Sequence, residues 1–110
     1  MNPHCSLDTT SFVSHAYAFS KSGSKKKSDK ITLHFDGERL KLECGWGGFA
    51  LPAKGETPFK VTVSAKDFAE LALDNKRHKA HKAEFPLTVE VNLKNLASPA
   101  AGIPCIIGEP

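Results

Sequence analysis

Two lysine-rich stretches carry the side chains best suited to chemistry in this chain. The first holds Lys21, Lys25, Lys26 and Lys27, and the second Lys76, Arg77, Lys79 and Lys82. Flexible cations at that density hold phosphate oxygens electrostatically, so one expectation is contact with a nucleic-acid backbone. The other is that they merely keep two loops solvated. The overall balance, 15 Lys and Arg against 12 Asp and Glu for a net charge of +3, permits a polyanionic partner without requiring one.

Other chemistries find less support. His78 and His81 stand three apart and His4 adjoins Cys5, yet no Cys-x-x-Cys or His-Glu-x-x-His spacing accompanies them, so neither a metal nor a cofactor is expected. The three cysteines, Cys5, Cys44 and Cys105, are odd in number and widely spaced, which fits reduced thiols, with Cys44 and Cys105 as small core residues. Beyond His4 no His and acid stand beside a cysteine as a paired base. Asp36, Glu38 and Glu43 suit hairpin turns and outer faces, and the expectation is a protein that is not an enzyme. Gly45-Trp46-Gly47-Gly48 lacks the Gly-Lys-Ser/Thr end of a phosphate loop. Trp46 reads as a cap over a sheet edge or as an exposed contact for a partner protein.

These side chains need positioning, and the clearest local order lies in Ile31 to Leu51. Ile31, Leu33 and Phe35 alternate with polar residues, and after Asp36-Gly37-Glu38-Arg39 the alternation resumes at Leu40, Leu42 and Cys44, a β-hairpin with one apolar face. Phe49 to Ala53 gives a third short strand, with Gly45–Gly48 as a turn or bulge before it, and Phe59 to Val63 another strand. Asp8 caps a helix with Phe12, Val13, Ala16 and Phe19 facing inward. Ser64 and Asp67 open a second helix, its buried stripe Ala65, Phe68, Ala69, Leu71 and Ala72, ending near Asn75. Leu87, Val89 and Val91 predict a further strand, Leu96 a weak one, and Ile103 to Ile107 a last one.

Laid over itself at an offset of 56 (63 minus 7), the chain repeats this plan without gaps. Leu7 meets Val63, Asp8 meets Ser64, Phe12 meets Phe68 and Ala16 meets Ala72; Ile31, Leu33 and Phe35 meet Leu87, Val89 and Val91; Leu40 meets Leu96, Leu51 meets Ile107, and Lys26 meets Lys82. The expectation is one α+β domain over residues 1–110, built from two β-α-β-β-β units at roughly 3–53 and 59–108 with two helices side by side on an antiparallel sheet. The alternative is that two unrelated strand-helix-strand units align by chance. Duplication also places the two basic loops at one end of the helix pair, as a single phosphate-binding rim.

The segments ITLHFDGERLKLEC and VTVSAKDFAELAL, within that duplicated plan, resemble one domain of the DNA sliding clamps, the bacterial replicative polymerase clamp and the proliferating cell nuclear antigen. The resemblance implies a non-catalytic module that self-associates through sheet edges and contacts double-stranded DNA as a processivity or replication-associated factor. It departs from the family in having one domain rather than two or three, and in helices that are not strongly basic: His15 and Lys21 in the first, Lys66 against Asp67 and Glu70 in the second. The competing reading is a small protein-interaction adaptor with a clamp-type fold and no DNA role. The opening MNPHCSLDTT lacks the apolar run of a secretory signal and no stretch is long and apolar enough to span a bilayer, so a cytoplasmic protein without membrane contact is expected.

Overall fold

In the computed structural model, which describes residues 3–22, 30–45, 47–78 and 85–108, the alternating segments become strands and the 3.6-period segments helices. The order is β1 (His4–Leu7), α1 (Thr9–Ser22), β2 (Lys30–Phe35), β3 (Arg39–Cys44), β4 (Gly47–Lys54), β5 (Phe59–Ser64), α2 (Ala65–His78), β6 (Phe85–Glu90), β7 (Asn95–Ala97), β8 (Gly102–Pro104) and β9 (Ile106–Gly108). The strands form one antiparallel sheet in the order β8-β7-β6-β1-β4-β3-β2-β5-β9. Its two ends, β8 and β9, are separated in the chain by Cys105 alone, so the sheet curls until its ends meet.

The apolar phase of each strand points to a shared core with the helices. Ile31, Leu33, Phe35, Leu40, Leu42, Val61, Leu87, Val89 and Leu96 are fully buried, as are Phe12 and Ala16 of α1 and Phe68, Leu71 and Ala72 of α2. Val13 is half-buried against the same cluster. Phe19 lies in α1 with its side chain outside the described set. Each large apolar side chain so buried contributes about 1.5–3 kcal/mol, which is what holds a two-layer arrangement of this size together.

Local polar chemistry sets the element boundaries. The Asp8 carboxylate accepts the Ser11 N–H at 2.9 Å and its carbonyl the Phe12 N–H at 2.9 Å, which is how Asp8 starts α1. In the β2–β3 turn the Asp36 carboxylate accepts the N–H groups of Glu38 (2.9 Å) and Arg39 (2.8 Å), while Gly37 takes a φ of 105° that a side chain would resist. Backbone donors hold both carboxyls below their ordinary range: Ser11 for Asp8, Glu38 and then Arg39 for Asp36. A carboxyl depressed by folding adds stability above its unfolded value, and that stability drains as pH falls through the folded value. Asp8→Ala and Asp36→Ala are therefore expected to melt below the wild type at about pH 7, with the gap closing below the unfolded value of 3.8. Thermal melts across that range check this; a gap that ignores pH would assign the loss to something other than charge.

Three expectations are corrected. Val91 does not continue β6: Leu93 N–H bonds Glu90 O and Lys94 N–H bonds Val91 O, turning the chain through Lys94 at φ 50° and leaving Val91 exposed. The strand instead starts two residues before Leu87, at Phe85. Residues 103–107 are not one strand, because Cys105 N–H turns to Lys94 O and separates β8 from β9. The second helix runs past Asn75 to His78, with Asn75 buried.

Candidate functional site

The two helices pack against each other, and the topology fixes how they run. Leu7, just before α1, pairs with Phe85, where β6 begins; Ser64, just before α2, pairs with Lys30, where β2 begins. Helix α1 leads from the first place towards the second and α2 from the second towards the first, so they are antiparallel. The helices therefore end at opposite ends of the pair, and the strands that follow them, β2 and β6, lie four strands apart in the sheet; the basic loops expected to form one rim lie outside the described residues.

Of the expected contact residues, Lys76 and Arg77 are placed and exposed near the end of α2. Lys76 Nζ lies 3.7 Å from the ring centroid of Tyr17 in α1, a cation–π contact that ties the end of α2 across to its partner helix. Lys21 sits in the last turn of α1 with its side chain outside the described set. Lys25, Lys26, Lys27, Lys79 and Lys82, together with Trp46, lie outside the described residues. Between the helices the charge is mixed: Lys66, Lys76 and Arg77 are offset by Asp67, Glu70 and Asp74 along α2.

Sequence reasoning passed over Asn75, the buried polar residue at the end of α2. Its Nδ2 donates to Leu71 O (2.8 Å) and to Ser98 Oγ (2.9 Å), and its Oδ1 accepts the Ala100 N–H (3.1 Å). Ser98 in turn closes the β7–β8 loop by donating through N–H and Oγ to Ala101 O. Asn75 thus holds that loop against the helix carrying Lys76 and Arg77. An Asn near a helix end reads as a stop signal, which is why its tertiary role is invisible in sequence.

The remaining chemistry is quiet. Burial pushes the Cys5 thiol up to about 12 and raises Cys105 as well, so both stay protonated packing residues. Cys44, half-buried, donates its S–H to Gly47 O at 3.2 Å across the β3–β4 turn, where Gly47 adopts a φ of 141°. An open groove at the end of β1 and β4 is bordered by Asp8, Glu38 and Lys54, but Asp8 is engaged as a helix cap. Among the described residues no three of His, Cys, Asp or Glu converge as metal ligands, and no helix is long and apolar enough to cross a membrane. No protein-family model matches the chain, and no curated protein matches it in sequence.

Proposed function

We propose that the chain is a clamp-like, non-catalytic module, a duplicated β-α-β-β-β unit that self-associates and holds the DNA backbone through the cations following its helices. The observation that carries this reading is the recurrence of one pairing scheme in both halves. Adding 56 (65 minus 9) to Thr9–Ser22 gives the bounds of α2, Ala65–His78. His4 opposite Thr88 recurs as Lys60 opposite His34, and Phe35 opposite Leu40 as Val89 opposite Leu96. Leu40 opposite Leu51 recurs as Leu96 opposite Ile103, and Ser6 opposite Lys54 as Thr62 opposite Ile106. Even the bond from Ala53 N–H to Glu38 O (3.0 Å) has its counterpart from Cys105 N–H to Lys94 O (2.9 Å).

This correspondence needs gaps, unlike the constant offset expected from sequence. The shift is 54 (88 minus 34) from β2 to β6 and 52 (103 minus 51) from β4 to β8, so Phe35 answers to Val89 rather than Val91, and Leu51 to Ile103 rather than Ile107. Five recurring contacts favour duplication over the chance similarity of two strand-helix-strand units. In the clamp reading, Lys76 and Arg77 at one end of the helix pair, with Lys21 and the loop lysines, meet phosphates.

Two measurements test it. Light scattering coupled to chromatography is expected to show assemblies larger than a monomer. Binding to a random-sequence duplex is expected to weaken at least ~10-fold between about 50 and 200 mM salt, and to weaken again in the Lys25/Lys26/Lys27→Gln variant. A strict monomer at high concentration that ignores DNA at low salt would leave the adaptor reading, with Trp46 as its contact.

A further inference from the structure

The pairing registers place a basic row on the outer face of the sheet that no single segment of the sequence reveals. Lys41 in β3 lies directly opposite His34 in β2, and His34 directly opposite Lys60 in β5. Adjacent strands stand about 4.8 Å apart, so three cationic or titratable side chains occupy consecutive positions across the sheet. The row is continued by Ala50 in β4 and Gly108 in β9, which leave it unobstructed at both ends. Arg39 projects from the same face of β3, two residues from Lys41. Arg39, Lys41 and Lys60 are exposed and His34 is half-buried.

Lys41 and Lys60 flank His34 with no acid at these three positions, so the row forms no cross-strand ion pair that would stabilise the sheet. The other half of the molecule provides an internal comparison. The matching positions, by the same registers, are Ala97, Thr88 and His4: Thr88 pairs with both, as His34 pairs with Lys41 and Lys60. The fold does not require lysines at these positions, since Ala97 and His4 stand where the other half has Lys41 and Lys60.

Acidic groups near the row do not cancel it. Glu43 lies one step along β3 beside Thr32. Asp36 is 3.8 Å from Lys41, an exposed and weak pair, and among the described residues no ion pair engages Arg39 or Lys60.

We infer that this face binds the phosphate backbone of double-stranded nucleic acid through Arg39, Lys41, His34 and Lys60, independently of the cations that follow the helices. Thr32 and Thr62, paired in the adjoining row, supply hydroxyl donors for phosphate oxygens. Among the described residues of this face no Phe, Tyr or Trp offers a stacking platform, which favours a duplex over a single strand. The described residues of the row and its adjoining threonines are polar or small, and the exposed Ile106, which could anchor an acidic peptide, sits at the margin beside Thr62.

The test is fluorescence anisotropy of a labelled random-sequence duplex against salt, using the full chain. The triple variant Arg39→Gln, Lys41→Gln, Lys60→Gln is expected to lose at least ~10-fold in affinity at low salt and to lower the log–log salt slope by about 3, close to one per phosphate contact removed. Its melting temperature is expected to stay close to that of the wild type, since the three side chains are exposed and the Lys41–Asp36 pair is weak. Lys41→Arg with Lys60→Arg, which keeps the charge, is expected to bind as the wild type does. The Lys25/Lys26/Lys27→Gln variant is expected to retain the slope contributed by this face, which separates the present inference from the clamp reading. An unchanged slope in the triple variant, lost binding in the Arg variant, or affinity for polyglutamate with none for the duplex would each overturn it.

Discussion

Phe12→Ala is expected to cost about 3–5 kcal/mol, enough to leave a domain of ordinary stability at the edge of unfolding. The Phe12 ring is fully buried and stacks on Phe85 with centroids 4.2 Å apart and planes inclined by 22°. Phe85 opens β6 opposite Leu7 of β1, so this one aromatic pair fastens the first turn of α1 to the strands on which α1 must lie. Truncation removes the transfer energy of the ring and leaves a cavity that a curled sheet with a helix over it closes poorly. Phe12→Leu retains most of the volume and is expected to cost roughly 1–1.5 kcal/mol. Urea unfolding followed by far-ultraviolet circular dichroism separates the two. A loss below about 1 kcal/mol for the alanine variant would mean that the first turn of α1 is not seated as described.

How much of this was legible in the sequence depends on whether an element kept one period. Strands β2, β3 and β5 did, and their buried residues Ile31, Leu33, Phe35, Leu40, Leu42, Val61 and Val63 are the ones the alternation selects. Both helices were legible through Asp8, Phe12 and Ala16 and through Phe68, Leu71 and Ala72. The period misled where a turn interrupts it: Val91 sits in phase with Val89 but one residue past the end of β6, and Ile106 and Ile107 follow Cys105 into a different part of the sheet. A backbone bond to Lys94 O decides that break, and sequence spacing carries no trace of it.

Charge was legible as composition but not as arrangement. The lysines in the loops announced themselves by clustering along the chain, whereas Lys41, His34 and Lys60 are scattered through three strands as ordinary solvent-facing residues. Only the register makes them neighbours. The same register shows that the two halves are alike in pairing and unlike in surface, with Lys41 and Lys60 answered by Ala97 and His4. Within one molecule, Ala97 and His4 standing where the other half has Lys41 and Lys60 show that the strand pairing itself does not need the lysines.

Asn75→Ala is expected to cost about 2–3 kcal/mol, because it removes all three hydrogen bonds of a buried amide and leaves a part-buried backbone donor without its acceptor. Removing the amide leaves the Ala100 N–H, now bonded at 3.1 Å, without its acceptor, and leaves Ser98 Oγ with the Ala101 N–H as its remaining donor. Leu71 O loses only a second bond, since a helical carbonyl also accepts within the helix. Ser98→Ala leaves the Asn75 bonds to Leu71 O and Ala100 N–H in place and is expected to cost about 1 kcal/mol. Because both substitutions break the same Asn75–Ser98 bond, the double variant should lose less than the sum of the two, by about 0.5–1 kcal/mol. Hydrogen exchange gives the discriminating readout: the Ala100 amide should lose protection in Asn75→Ala and keep most of it in Ser98→Ala. If Ala100 exchanges equally slowly in all variants, the loop is held by something other than Asn75, and the end of α2 bearing Lys76 and Arg77 is not fixed through it.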